Sequence, residues 1–429
     1  MDSDPPPGWH ELLRCCALRE VAPKSAAALD DPQAAIARVL EESGFVEFAR
    51  SAAAEGRSVT LVVNDNHRFT DTHTFLGAVL QLLDRFLDAE RRPPLRMLVA
   101  AGSHVAGADE RAEHERSMLG GHRDRIAELL WHDARNDTEL LAVGHTTLHR
   151  WMAEGGFYLA CGSMEPHYFA GVTGGHKTLT VGVMSLESLT ANHENALSPR
   201  ARPLALDGNP VHLGIVDALA DLEDSGARLL VVNEVLVDGK MVAVTAGHPL
   251  EALHHGLDTV RECFSACVEE PVDIVVARVL APLDRDFYQA EKGIKNTEFA
   301  LREEGVMILE ATCRHGVGID HFVALLRQAA THDEAVAVVE ARGYRLGDHK
   351  AVRLRALTDE RRVRVALVSE GVPAALGEVL GVHIFADRRG AAEWAAGILG
   401  PEPSRGLIVE DAGNVAIEVL EEPGVMGVR

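Results

Sequence analysis

Short apolar runs rich in Val, Ile and Leu alternate along the chain with longer stretches whose apolar residues recur every three or four positions. The first pattern predicts strands buried on both faces, and the second predicts helices packed along one stripe. "SVTLVVND" (58–65) is a buried run that ends in polar residues, and "TFLGAVLQLLDRFLDA" (74–89) follows it with helical spacing. "PLRMLVAAGSH" (94–104) and "ADERAEHERSMLG" (108–120) repeat the pair, the helix stopped by glycine. Further strands are expected in "RIAELLWHD", "FYLACGSM", "ARLLVVNEVL" and "MVAVTAGH".

The pattern restarts near residue 270 with "VDIVVARVLAPLDRDFYQAEKGIK", then "RVRVALVSEGV" and "VHIFADRRGAAEWAAGIL"; "GLIVEDAGNVAIEVL" reads as a closing hairpin. The expected fold is α/β: two α/β domains with mainly parallel sheets and the active site in the cleft between them. Residues 1–270 form the first domain and 271–429 the second, in contact because no Pro/Ser-rich linker separates them. Ligands of open α/β sheets sit at the carboxyl ends of strands. Polar residues gather at such ends: Asp65, His67 and Arg68; Ser103 and His104; Asp284, Asp286 and Gln289.

Composition narrows the function classes. With 65 acidic against 42 basic residues the formal charge is −23, and no basic stripe is present, so neither nucleic acid nor an acidic membrane surface is an expected partner. The start, "MDSDPPPGWHELLRCC", lacks the features of a secretory signal, and no apolar run reaches membrane-spanning length. The six cysteines show no zinc-type spacing. A cytoplasmic protein is expected. Histidine stands out, with 21 residues.

"HYFAGVTGGHKTLTVG" (167–182) sets basic side chains on a glycine-rich backbone. Against a phosphate-binding loop, G-x-x-x-x-G-K-[ST], the first Gly, the Lys and the Thr are in register, but His176 replaces the glycine that wraps the phosphate. No G-x-G-x-x-G or G-x-S-x-G is present, and "NHENAL" is not the H-E-x-x-H of a metal hydrolase. Four histidines then draw notice: His104 after a strand, His167 and His193 on either side of Lys177, and His176 beside it. Such residues serve metal ligation, proton transfer near neutral pH, or substrate hydrogen bonding.

At this point the chain resembles the nickel-dependent lactate racemases and their 2-hydroxyacid racemase and epimerase relatives. "NDNHRFTDT", "AAGSH", "EPHYFAGVTGGHKTLTVGVMSLESLTANH", Gly-Asn-Pro at 208–210 and "FYQAEKGIK" carry the likeness, strongest over 60–215, with a shorter block at 284–295. The resemblance implies an isomerase acting on a small-molecule 2-hydroxyacid by proton-coupled hydride transfer. It implies a nickel pincer nucleotide (pyridinium-3-thioamide-5-thiocarboxylic acid mononucleotide with Ni2+), made by dedicated cofactor-synthesis enzymes. Lys177 is then the covalent tether and His193 the nickel ligand. Asp65 holds part of the cofactor or orients Arg68, and Gly174 and Gly175 let the backbone lie close to the flat ring. His104 and His167 are the acid–base pair, and Arg68, Gln289 and Lys292 bind the substrate carboxylate.

The chain departs from the family pattern at His67, Phe69 and His176, at "VGVM", and near His349, where some relatives carry a substrate-pocket tryptophan. These departures suggest a more polar pocket for a larger or second-carboxylate substrate. The competing expectation is a non-catalytic protein of the same fold that binds a small carboxylate or nucleotide.

Overall fold

The computed structural model describes residues 8–9, 12, 14–24, 26–68 and 70–420; residues 1–7 of the proline-rich start and Phe69 lie outside these. Twelve strands build two six-stranded sheets: β1 (Cys16–Val21), β2 (Val59–Asn64), β3 (Leu95–Ala100), β4 (Ile126–Trp131), β5 (Phe157–Ser163), β6 (Arg228–Val237), β7 (Lys240–Gly247), β8 (Val272–Arg278), β9 (Leu301–Glu310), β10 (Arg364–Val368), β11 (His383–Phe385) and β12 (Ser404–Val409). The first sheet runs β7-β6-β5-β2-β3-β4 and the second β1-β12-β8-β9-β10-β11. All neighbours are parallel except the edge pair β6–β7, so the α/β class and the mainly parallel sheets hold.

The unbroken apolar runs follow from cores on both faces of each sheet. On β2, Val59, Leu61 and Val63 enter one core while Val62 enters another. On β8, Val275 and Ala277 face one side and Ile274 and Val276 the other. A strand with period-two side chains and no wet face takes a polar residue before its end only where a partner meets it, as Arg96 meets Thr60 and the Asp71 N–H meets Glu234.

Two features differ from the sequence reading. Residues 406–420 are not a hairpin: β12 pairs in parallel with β1 and β8, and Ala416–Val419 pairs in parallel with Ser265–Val268. Alternation tells which face a side chain takes, not which strand lies beside it. The strand β1, near the start of the chain, lies in the second sheet.

In the first sheet β2 leads by way of β3 to β4 on one side, while β5 and β6 lie on its other side. The gap between the carboxyl ends of β2 and β5 is therefore a topological switch point, where chain leaves in opposite directions and a crevice opens. The segment after β2 bends into helix α1 (Thr72–Phe86), whose first turn is capped by the Asp71 carboxylate, accepting from the Thr74 N–H at 3.1 Å. Fully buried Glu234 on β6 accepts the Asp71 N–H at 2.7 Å and the Cys161 thiol at 3.3 Å. This pins the far end of the 65–71 loop to the sheet. Among the described residues no helix is long and apolar enough to cross a membrane.

Burial raises the Glu234 carboxyl from an ordinary 4.5 to about 7. Its contribution to stability is full below about 4.5 and is lost as pH rises through about 7, at about 1.4 kcal/mol per pH unit within that window. Between pH 5 and pH 7.5 the buried histidines gain stability while Glu234 loses it, so the change in urea-unfolding stability over that interval should be more favourable in Glu234→Gln than in the unsubstituted chain. Equal changes in the two proteins would contradict this assignment.

Candidate active site

The crevice at the switch point holds a small cavity of about 130 Å³. Asp65, Arg68, His104, His167, Gly174, Lys177 and His193 all line it. Seven residues named from sequence thus meet in one place, from the ends of three strands and two helices.

The loop after β2 supplies Asp65 and Arg68. Asp65 is buried, and its Oδ2 accepts from His104 Nδ1 at 2.8 Å and His67 Nδ1 at 3.2 Å. Burial opposes ionisation of Asp65, but these two bonds outweigh it and hold the carboxyl well below its usual range. In return, the bond to Asp65 raises His67 above its ordinary value. Arg68 turns the other way, donating from Nη1 to Glu165 Oε1 at 3.3 Å. Asp65 therefore addresses the histidines, not Arg68, and the helix cap is Asp71.

After β5 the chain makes a two-residue hairpin, Pro166–His167 against Gly171–Val172, then enters the short helix α2 (Gly175–Thr178). Glycines at this joint answer to packing. A Cβ on Gly175 would lie 2.7 Å from Val231 Cβ, and one on Gly162 would lie 2.5 Å from the Gly175 nitrogen. Gly174, with φ +147°, has a conformation that side chains rarely adopt. The Gly175 N–H is held by Asn233 Oδ1 at 2.8 Å.

Lys177, on α2, is buried, and among the described residues its Nζ has no hydrogen-bond or ion-pair partner; the Phe169 ring lies 6.0 Å away. Burial first, then Arg68 and Lys292, push its amine well below the ordinary lysine value. His193, on helix α3 (Leu186–Glu194), keeps part of its ring open to the cleft. Burial and then Lys177 push it down to about 3; its Nδ1 has no well-aligned partner, although the Leu189 carbonyl one turn earlier favours the protonated ring slightly. His193 is neutral near pH 7, and the Lys177 amine is biased toward its uncharged form.

His104 and His167 differ in a way that matters for proton transfer. With Asp65 ionised, His104 Nδ1 carries the proton and donates, which leaves the Nε2 lone pair free in the neutral ring. His167 Nδ1 instead accepts the Ala170 N–H at 3.2 Å. Burial, then Lys177, Arg68, Lys292 and His193, keep His167 neutral, so its proton sits on Nε2. One ring is an acceptor and the other a donor.

Gln289 and Lys292 lie on helix α4 (Phe287–Thr297) of the second half and do not form the cleft wall. Lys292 nonetheless comes within electrostatic reach: burial lowers it to about 8, with Glu165 opposing and Arg68 adding to the shift. Gln289 is tied by its backbone N–H to Asp286 at 2.8 Å. His176 and His349 do not build a polar pocket. His176 is fully buried beside His212, with both ring nitrogens unpartnered. His349, on helix α5 (Asp348–Arg355), is held between the Tyr168 hydroxyl at 3.0 Å and the Tyr344 hydroxyl at 2.6 Å. That contact, and Arg353 donating to the Ala201 carbonyl at 3.0 Å, tie the two halves together. Glu165, missed in the sequence reading, was open to the same strand-end rule, since it follows β5 by two residues.

Two family models match the chain: the lactate racemase N-terminal domain over residues 14–203 and the lactate racemase C-terminal domain over 268–349. A lactate racemase of Thermoanaerobacterium thermosaccharolyticum is 26% identical over 319 residues, 72% of each chain. One from Lactiplantibacillus plantarum is 27% identical over 274 residues, 62% of each. The solved lactate racemase apoprotein of T. thermosaccharolyticum superposes with a TM-score of 0.79 at 23% identity, covering 94% of this chain and 95% of that one. A Thermotoga maritima protein has the same fold at a TM-score of 0.64 and 16% identity, over 92% of this chain and all of that one.

An uncharged amine reacts where a charged one does not. Cyanate at pH 7 should carbamylate Lys177 before the exposed Lys24 and Lys240. Peptide mapping of a time course checks this, and surface lysines labelling first would contradict the lowered amine.

Proposed function

The chain belongs to the lactate racemase family of isomerases, and on that premise we propose that it racemises or epimerises a small-molecule 2-hydroxyacid with a nickel pincer nucleotide held by Lys177 and His193. The observation that carries the reading is the buried, unpartnered Lys177 amine beside a neutral His193 whose ring is partly open to the cleft. A neutral amine is the form that makes a covalent tether, and a neutral imidazole beside soft sulfur donors suits Ni2+. Gly102, Gly174 and Gly182 keep side chains off the cleft wall, which favours a flat guest. When bound by Lys177 and His193, such a group would supply a reversible hydride acceptor for C2 of the substrate.

The chain's own residues do the rest. His104 Nε2 accepts the hydroxyl proton, and ionised Asp65 stabilises the imidazolium that results. His167 offers its Nε2–H to the same oxygen. To serve as acceptor for the opposite hand it must change tautomer and give up the Ala170 bond, so for a racemase kcat and KM differ between the two hands while kcat/KM stays equal. Arg68, Lys292 and Gln289 hold the substrate carboxylate, with Arg68 exchanging Glu165 for substrate. In this reading residues 1–270 carry the tether and the acid–base pair, while residues 271–429 close the carboxylate site. The protein works in the cytoplasm beside the enzymes that make its cofactor.

Protein expressed with cofactor-synthesis enzymes should show a mass increment that Lys177→Ala abolishes and a nickel content that His193→Ala removes. His104→Ala should lower kcat about 10²–10⁴-fold. Racemisation in D2O should leave C2 free of deuterium. Deuterium at C2 would mean proton abstraction from carbon and overturn the hydride step.

A further inference from the structure

His67 is the one imidazole of the site that the racemase reading does not use. We propose that Asp65, His67 and His104 form a binding site for a borderline divalent cation such as Zn2+, and that its occupancy switches His104 off as a proton acceptor. The metal site stands on its own geometry; the switch rests on the racemase reading.

Both Nδ1 atoms converge on the same carboxylate oxygen, Asp65 Oδ2, at 2.8 Å from His104 and 3.2 Å from His67. The rings lie side by side, with centroids 4.2 Å apart and planes 33° from parallel. One donor atom from each of the three residues lies within 4.8 Å of the other two. Donors bonded at about 2.1 Å to a single tetrahedral or octahedral ion stand about 3.0–3.4 Å apart. An ion can therefore replace the shared protons with small rotations of two rings.

The support is already fixed. Asp65 Oδ1 accepts the His67 backbone N–H at 3.2 Å, while Asn64 binds Thr70 Oγ1 at 2.8 Å and accepts from Thr178 Oγ1 at 3.0 Å. The carboxylate is buried, but the His67 and His104 side chains are 32% and 44% exposed, so an ion reaches them from solvent. Two imidazoles and one carboxylate select Zn2+, Co2+ or Ni2+ over Mg2+ and Ca2+, which want oxygen donors. Three protein ligands leave a position for water.

The consequence for His104 follows from counting protons. A neutral imidazole bound through Nδ1 keeps its single proton on Nε2. The atom that accepts the hydroxyl proton in the racemase reading then carries N–H and has no lone pair to offer. Removing the ion returns the proton to Nδ1 and restores the acceptor.

The test uses the chelator-treated full chain without nickel cofactor, titrated with Co2+ by visible absorption and with Zn2+ by calorimetry. One ion per chain is expected, with affinity reduced at least tenfold in His67→Ala and in Asp65→Asn but unchanged in His193→Ala. Unchanged affinity in His67→Ala, or loss in His193→Ala, overturns the site. In cofactor-loaded enzyme, Zn2+ should inhibit reversibly by chelation. His67→Ala should raise the half-inhibitory concentration at least tenfold, relative to its own zinc-free rate. Zinc bound at this site without inhibition overturns the switch, whereas a loaded chain without racemase activity counts against the racemase reading and leaves the Co2+ result intact.

Discussion

The site depends on one topological constraint: β2 and β5 are neighbours in the sheet, but the chain leaves them toward opposite edges. Helices and loops that cross in opposite directions cannot close over the gap between them. What fills that gap is set by the next few residues of each strand. After β2 come Asp65 and Arg68, after β5 come Glu165, His167 and Lys177, and the neighbouring β3 adds His104. Glu234, Asn64 and Asn233 hold these segments to the sheet by hydrogen bonds from within it.

Gathering so many cationic groups has an electrostatic cost that the structure meets by burial. His167 feels Lys177, Arg68, Lys292 and His193, Lys177 feels Arg68 and Lys292, and Glu165 opposes the shift of both lysines while pairing with Arg68. Buried in company, the lysines and histidines shift toward their neutral forms, while a guanidinium such as that of Arg68 stays charged by its own basicity. A cleft so composed offers the Arg68 guanidinium and Lys292, lowered only to about 8, to an anionic group, beside neutral imidazole nitrogens for metal or proton chemistry. Small carboxylates match that inventory.

Much of this was legible in the sequence because the physics is local. Strands buried on both faces announce themselves as apolar runs, and polar residues at their ends announce a crevice. The spacing of His167, Lys177 and His193 gave the cleft most of its chemistry. What escaped is non-local. No residue pattern states that "GLIVEDAGNVAIEVL" serves two different sheets, or that His176 and His349 turn inward to His212 and two tyrosines. Nor does a glycine reveal what crowds it: Gly175 is required by Val231. Glu165 was missed because it precedes a more conspicuous histidine, although the same strand-end argument covers it.

The pairing of β1 with β12 has a consequence for how the molecule comes into being. Cys16 finds its partner at Ser404, almost a full chain length away. During synthesis the first sheet, drawn from residues 59–247, can assemble as soon as that stretch emerges. β1, though made earlier, must wait for nearly the last strand before its ladder closes. Contacts this distant in sequence are slow to form. The half of the protein that carries the histidines and Lys177 is thus ready early, and the half that carries Lys292 is sealed last by the oldest strand of the chain.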